Sequence, residues 1–301
     1  MLTYIYIRQV NRVKNEFIKN ERGIKMTENF IKIPRRLVYN LNNKTKKVGK
    51  TIMNTIEDGG IAIATILYLD ARCYYDSHFA FTLEKLMTIL GITIRKGKDG
   101  TINRVKNVLK SLEEQGILKF YKPIDKYKLK DMIECEITFA FDKEGGEDVN
   151  WFSIPYSHID KILDEVPSKN IVNCLVVETM IQGRKFNGSS RETEGACTDK
   201  NYPGCARLSW GYVKDNISMV IKKKDTWDKY VSILESIGLL YTAVPIVNGE
   251  KQSKIYGYTQ SEVDWVRKMI EGESKVEEPK ESERKVRAMS KESNKRRRKD
   301  F

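Results

Sequence analysis

Histidine is almost missing from this chain: 301 residues contain two, His78 and His158, far apart. That excludes a paired-histidine metal site or strand-nicking motif, which needs two imidazoles at short spacing. Apolar runs are short, and no stretch of about 18 apolar residues occurs to span a bilayer. The five cysteines are odd in number and scattered, which fits a reducing cytoplasm better than a secreted disulfide framework. A phosphate-cradling loop is lacking as well. Gly49-Lys50-Thr51 has neither the first glycine of that motif nor an apolar strand before it, so no ATP-driven motor is built in. Carboxylates are plentiful but have no metal-binding spacing. No catalytic set, cofactor or metal is expected, and the chain reads as a non-enzyme. Forty per cent hydrophobic residues still suffice for a core in each of two ordinary domains.

What the chain does have is positive charge, net +13 from 54 Lys+Arg against 41 Asp+Glu. Basic composition alone is a weak pointer to a polyanion, because Lys, Ile and Asn also accumulate in AT-rich coding sequence. Position is more informative. Residues 1–50 carry 13 basic and 3 acidic side chains, residues 93–130 carry 11 and 4, and residues 284–301 carry 9 and 2. The segments between are acidic, so three basic islands sit in a mildly acidic body.

The two ends stand apart. Residues 1–25 read as a basic N-terminal arm or, alternatively, as a mis-assigned start, because Glu21-Arg22-Gly23 back-translates to a purine-rich ribosome-binding sequence just before Met26. Residues 272–301 have few large apolar residues and run from an acidic block to Lys295-Arg296-Arg297-Arg298-Lys299, the pattern of a disordered charged tail.

Between them, Gly59 to Tyr75 is an apolar run that predicts a buried helix, followed by a polar turn, Asp76-Ser77-His78. Thr82 is the N-cap expected for a second helix, Leu83–Leu90, which Gly91 ends. A basic connection, Arg95-Lys96-Gly97-Lys98-Asp99-Gly100, leads to a third helix over 101–115, closed by Gly116. Strands are expected over 117–121 and 133–141, joined by a loop bearing Lys122, Lys126, Lys128 and Lys130. Three helices and then a hairpin with a basic loop is the order of a winged helix-turn-helix. On the third helix Ile102, Val105, Val108, Leu109 and Leu112 share one side, while Asn103, Asn107 and Lys110 lie opposite, flanked by Arg104 and Lys106. Such a face suits the major groove, where Asn pairs with adenine and Arg or Lys with guanine. The residues expected at DNA are therefore Arg95, Lys96, Lys98, Thr101, Asn103, Arg104, Lys106, Asn107, Lys110, Lys122, Lys126 and Lys128. The alternative is an amphipathic helix with a merely solvated basic face, in a fold that also serves protein interaction.

Thr82-Leu83-Glu84-Lys85-Leu86, Leu90-Gly91-Ile92 and the run Val105 to Leu118 resemble the winged helix-turn-helix of bacterial regulators and replication proteins. Phe30-Ile31-Lys32-Ile33-Pro34-Arg35-Arg36-Leu37 and Ile66 to Arg72 are similar to the N-terminal domain of plasmid replication initiators of the RepA N-terminal type. The resemblance covers roughly residues 30–141. It departs in a longer connection between the second and third helices and in the basic linker Asn42–Lys50.

The plan then recurs. Ile33-Pro34 matches Ile154-Pro155 at an offset of 121, and Leu109, Leu112, Glu113, Gly116, Ile117 and Leu118 match Val231, Leu234, Glu235, Gly238, Leu239 and Leu240 at 122. In this copy helices are expected over 170–182, 209–218 with Ser209 as cap, and 226–237 capped by Asp225, with a closing helix over 261–270. The fold class expected is α+β, mainly α: a DNA-reading winged-helix domain over 26–145, a second over 146–271, then the tail. Asp228, Ser232 and Glu235 are expected to face outward on the second copy's third helix, with Lys229 at the edge. That acidic face suits protein better than phosphate, so copy two is expected to bind a second copy of the chain or replication proteins. The long insertion Phe186–Arg207 reads as a loop with two thiols, Cys197 and Cys205. A metal there would need His158 or Cys174 as further ligands. The functional expectation is a cytoplasmic protein of a bacterium, nucleoid or plasmid associated, that binds double-stranded DNA as a replication initiator or helicase loader of a plasmid, phage or integrated element. A transcription regulator and a protein-bridging module are the alternatives.

Overall fold

The computed structural model describes residues 30–34, 37–38, 51–71, 78–97, 99–138, 151–185, 204–217 and 220–272. The expectations for the N-terminal arm, the Asn42–Lys50 linker and the tail beyond Gly272 lie outside these. The described chain is α+β, helices with small antiparallel sheets. Among the described residues no helix is long and apolar enough to cross a membrane.

The first half runs β1 (Phe30–Pro34), α1 (Ile52–Thr55), α2 (Gly59–Asp70), β2 (His78–Phe81), α3 (Leu83–Ile89), α4 (Thr101–Glu114), β3 (Leu118–Phe120) and β4 (Ile133–Ile137). The second runs β5 (Trp151–Pro155), α5 (Tyr156–Glu165), α6 (Ile171–Arg184), β6 (Ala206–Leu208), α7 (Trp210–Ile217), α8 (Lys224–Ser236), β7 (Tyr241–Ala243), the short pair β8 (Ile246–Val247) and β9 (Glu250–Lys251), β10 (Lys254–Gly257) and α9 (Gln260–Glu271). Each half holds a three-stranded antiparallel sheet of one design. The strand before the second helix pairs with the last strand, which also pairs with the middle one: β2-β4-β3 and β6-β10-β7.

Local chemistry sets several boundaries. Thr82 caps α3 by accepting from Lys85 N at 3.1 Å, and Ser209 caps α7 by accepting from Tyr212 N at 3.3 Å. Gly116 and Gly238 end α4 and α8 with φ of 65° and 64°, and in each case the next amide bonds back to the helix, Ile117 to Leu112 and Leu239 to Leu234. The carboxylate one turn earlier is also reused: Glu113 Oε1 accepts from Phe120 N at 3.2 Å, and Glu235 Oε1 from Thr242 Oγ1 at 2.6 Å. Residues 120 and 242 keep the offset of 122, so in both halves a glutamate of this helix bonds the strand that follows it.

Other expectations need correction. The buried helix from Gly59 ends at Asp70, and residues 72–77 are outside the description. His78 belongs to strand β2 rather than to a turn, because Phe79 and Phe81 have to alternate with Ala80 against Cys135 and Ile133 of β4. The strand over 133–141 is seen as Ile133–Ile137, with 139–141 undescribed. The insertion before Arg207 is not wholly loop: Ala206–Leu208 pairs with β10. Asp225 does not cap α8, whose N-cap is Lys223 with no side-chain cap; Asp225 lies in the first turn, where a negative charge favours the helix dipole.

The two halves meet through equivalent parts. β1 pairs antiparallel with β5 in the register Phe30↔Pro155, Ile31↔Ile154, Lys32↔Ser153, Ile33↔Phe152 and Pro34↔Trp151. At an offset of 121, Ser153 is the counterpart of Lys32, so this pair lies opposite itself and the others exchange. That is the signature of a two-fold axis through Lys32 and Ser153, an isologous contact of the kind that homodimers make. The equivalent helices α2 and α6 pack together beside it. Gly60 allows this approach, since a Cβ there would lie 2.8 Å from Val220 Cγ1 and 3.4 Å from Val172 Cγ1. One hydrophobic cluster, from Ile31 to Tyr256, runs through both halves, and a smaller one (Cys205, Ile255, Val263, Trp265 and Val266) seats α9.

Gly91 joins the halves at a second point. Its φ is +66°, and a Cβ would fall 1.8 Å from the backbone oxygen of Ser168. Gly91→Ala combines left-handed strain with a backbone clash and should cost roughly 2–3 kcal/mol, read as a lower urea midpoint. An unchanged midpoint would mean that the two segments do not touch. Asp70, at the end of α2, has its carboxyl pushed up from 3.8 to about 7 by burial. Its folded form holds a proton that the unfolded form has lost, so the protein should lose stability as pH rises from about 4 to about 7. Asp70→Asn should flatten that pH dependence in urea melts at pH 5 and pH 8.

Candidate nucleic-acid interface

α4 buries Val105, Val108, Leu109 and Leu112 and turns the opposite side to solvent. Asn103, Asn107 and Lys110 are exposed there, as their spacing predicts. Their neighbours divide into groups that shape the surface and groups that remain open on it.

Thr101 shapes the loop. Its hydroxyl donates to Thr93 O at 2.5 Å and accepts from Arg95 N at 2.9 Å, so it staples the basic loop to the start of α4. Asn103 Nδ2 donates to Gly97 O at 3.0 Å and holds the same loop. Its side-chain oxygen is the end opposite that bond. Arg95 and Lys96 thus project from a fixed turn and are both exposed. Lys98 lies outside the described residues.

Arg104 is engaged in a way the sequence does not signal. Its Nε donates to Asp58 Oδ2 at 2.7 Å and its Nη2 pairs with Asp58 Oδ1. Hydrogen bonding to that carboxylate raises the guanidinium's already high pKa. Asp58 precedes α2 in the left-handed region, φ 60°, and makes no side-chain cap. It forgoes the capping bond usual for Asp and holds α4 against α2. Lys106 Nζ donates to Asp125 O at 3.1 Å, tying α4 to the 3-10 turn Ile124–Lys126 in the β3–β4 connection.

Open cations remain. Lys110, Lys122, Lys126 and Lys128 are exposed and form no ion pair within the described residues, whereas Lys119 pairs with Glu136 at 3.6 Å and Lys130 with Glu84 at 3.8 Å. The site therefore gathers α4, the Arg95–Gly100 turn and the β3–β4 connection around one surface. Asn107 and Lys110 form its open centre, and Lys96, Lys122, Lys126 and Lys128 extend it. Glu113, one of two acids at the far end of α4, is turned to Phe120.

The corresponding face of α8 differs from expectation. Asp228 is half-buried between Lys224 Nζ at 3.2 Å and Lys254 Nζ at 3.5 Å. Glu235 points to Thr242 rather than outward. Only Asp225 remains as an exposed acid of the helix's first two turns, beside exposed Lys222, Lys223 and Lys229. The cysteines weighed as metal ligands lie apart: Cys174 is buried in α6 with its thiol pushed up to about 12, and Cys205 is buried under α9. Cys197 lies outside the described residues. His158 instead places Nδ1 2.7 Å from Glu178 Oε1, a buried carboxylate that also accepts from Gln182 Nε2 at 3.1 Å and Tyr258 OH at 3.1 Å. Among the described residues no group of three His, Cys, Asp or Glu could hold a metal.

The Arg104–Asp58 pair is half-exposed on the arginine side, so a double-mutant cycle with Asp58→Asn and Arg104→Gln should give a coupling of about 0.5–1 kcal/mol in chemical denaturation. A coupling of zero would mean that the pair is incidental to how α4 is held.

No family model, curated protein or solved structure matches this chain.

Proposed function

We propose that the protein binds double-stranded DNA, with α4 of a winged helix-turn-helix in the major groove and the β3–β4 wing on the flanking backbone. In the same reading, the second half is a second winged helix in tandem. The observation that carries this is the combination on α4: a fully buried apolar side, an open Asn107–Lys110 line opposite, and unpaired lysines on the segment that the sheet holds beside it. The order helix–strand–helix–helix–strand–strand, with the last strand central, is the order of that fold. Asn offers a donor and an acceptor to an adenine edge, and Lys110 a donor to guanine or phosphate. The loop and wing cations would set register on phosphates without reading sequence.

Within this class a replication initiator or helicase-loading factor of a plasmid, phage or integrated element is the reading favoured. It rests on the resemblance over residues 30–141 and on two such modules in one chain. Footprinting separates it from a transcription regulator: protection of repeated sites beside an AT-rich stretch supports initiation, and a single operator over a promoter overturns it.

DNA binding itself is tested on the full chain by fluorescence anisotropy against salt. Lys110→Gln with Lys126→Gln should weaken binding at least roughly tenfold near 0.1 M salt and lower the log–log salt slope by about 2. Asn107→Ala should instead relax preference at one base position by roughly 1–3 kcal/mol. Salt-independent binding, or no loss in the double variant, would leave a protein-bridging role in its place.

A further inference from the structure

The second half carries a cationic surface to which the sequence assigned no nucleic acid. We propose that it is a sequence-tolerant phosphate clamp, which grips the same duplex as α4 on the dyad-related side. The inference rests on the DNA-binding reading above and extends it to the half expected to bind mainly protein.

Three observations carry it. First, the β1–β5 register places equivalent residues across a two-fold axis, and the equivalent helices α2 and α6 pack beside it. α4 packs on α2 and α8 on α6, so α8 is the symmetry mate of α4. A two-fold unit that docks on a duplex shares the duplex's own local dyad and meets both flanks of the site, as homodimeric helix-turn-helix proteins do.

Second, the acids that made α8 look unsuited to phosphate are spent inside the fold. Asp228 is held between Lys224 and Lys254, and Glu235 fastens Thr242 as Glu113 fastens Phe120. What is left open is Lys222, Lys223 and Lys229, with Asp225 the one opposing acid of that stretch. Lys229 Nζ lies 5.5 Å from the Tyr230 ring, and Tyr230 OH accepts from Asn173 Nδ2 at 2.8 Å, so this cation is presented from a braced side chain.

Third, the base-reading types are absent from the same face. At the offset of 122, the positions of Asn103, Asn107 and Lys110 are occupied by Asp225, Lys229 and Ser232, and Thr226 stands at the position of Arg104. The surface has lysines for phosphate but neither the Asn nor the Arg that discriminates base edges. The target should therefore have one specified half-site and, across the dyad, a flank that is gripped but not read.

The test uses the full chain with Lys222→Gln, Lys223→Gln and Lys229→Gln combined, and a duplex long enough to cover both flanks. The clamp predicts affinity at least roughly tenfold weaker near 0.1 M salt, a salt slope lower by about 2–3, and unchanged sequence preference. It also predicts that hydroxyl-radical protection on the unread flank disappears while the α4 half-site stays protected. Thermal melts check that the variant is folded. Wild-type protection limited to one half-site, an unchanged affinity and slope, or capture of a second duplex in place of the flank overturns the clamp and leaves DNA reading by α4 standing. A wild-type chain that binds no duplex overturns both.

Discussion

Two helices with almost no solvent-facing side set the terms for this molecule. α2 buries Ala62, Ile63, Ala64, Ile66, Leu67, Tyr68 and Leu69, and α6 buries Cys174 through Met180 and Ile181, all around their circumference. Helices buried on nearly every side have to be enclosed all round, because each square ångström of apolar surface left in water forgoes about 25 cal/mol. The polar Glu178 and Gln182 of α6 are tolerated inside because they bond His158, Tyr258 and each other. One three-stranded sheet and two further helices cover only part of such a rod. Each half therefore leaves its central helix incompletely enclosed, and the other half supplies the cover. β1 and β5 complete the arrangement by pairing with each other in a two-stranded sheet, which satisfies the backbone groups that face between them. The halves share a strand order but are a single unit in packing, with one core running through both.

That arrangement explains what could be read from the residues in advance. Features set within one turn or one helix were legible: the Thr82 and Ser209 caps, the Gly91, Gly116 and Gly238 terminations, and the division of α4 into an apolar and a polar side. The constant offset of Glu113 and Glu235 was legible too, and the structure gives it a physical content, since both carboxylates fasten the following strand. Strands β2 and β6 were not legible. At four and three residues they are too short for alternation to stand out, and what makes them strands is a partner more than forty residues away in sequence. The Asp225 cap failed for a related reason: a capping residue type in the right neighbourhood does not fix where the backbone turns, and helix α8 starts one residue ahead of it.

The same limit applied to the candidate site. A helical wheel places a side chain on a face but does not say what waits there. Arg104 and Asn107 looked alike as outward polar groups, yet Arg104 is clasped by Asp58, 46 residues earlier, while Asn107 is open. On α8 the error ran the other way: Asp228 counted as a free negative charge but sits between two lysines. Charge read from sequence is formal charge. The field a partner meets is what remains after the fold has paired it, and that remainder decided both surfaces.

Symmetry of backbone with asymmetry of surface has a consequence of its own. In a homodimer both equivalent helices carry one sequence, so any change to one surface alters the other equally. In this chain the two-fold relation is kept by the β1–β5 pairing and by the packing of α2 on α6, while α4 and α8 differ on their solvent faces without disturbing it. Packing fixes where the two helices stand, and surface chemistry alone fixes what each contributes. One carries exposed amides, Asn103 and Asn107, while the other keeps plain cations, and the register between them is still set by the shared core. On the function proposed above, a single chain would separate holding a polyanion from reading it, a division that two identical subunits cannot make.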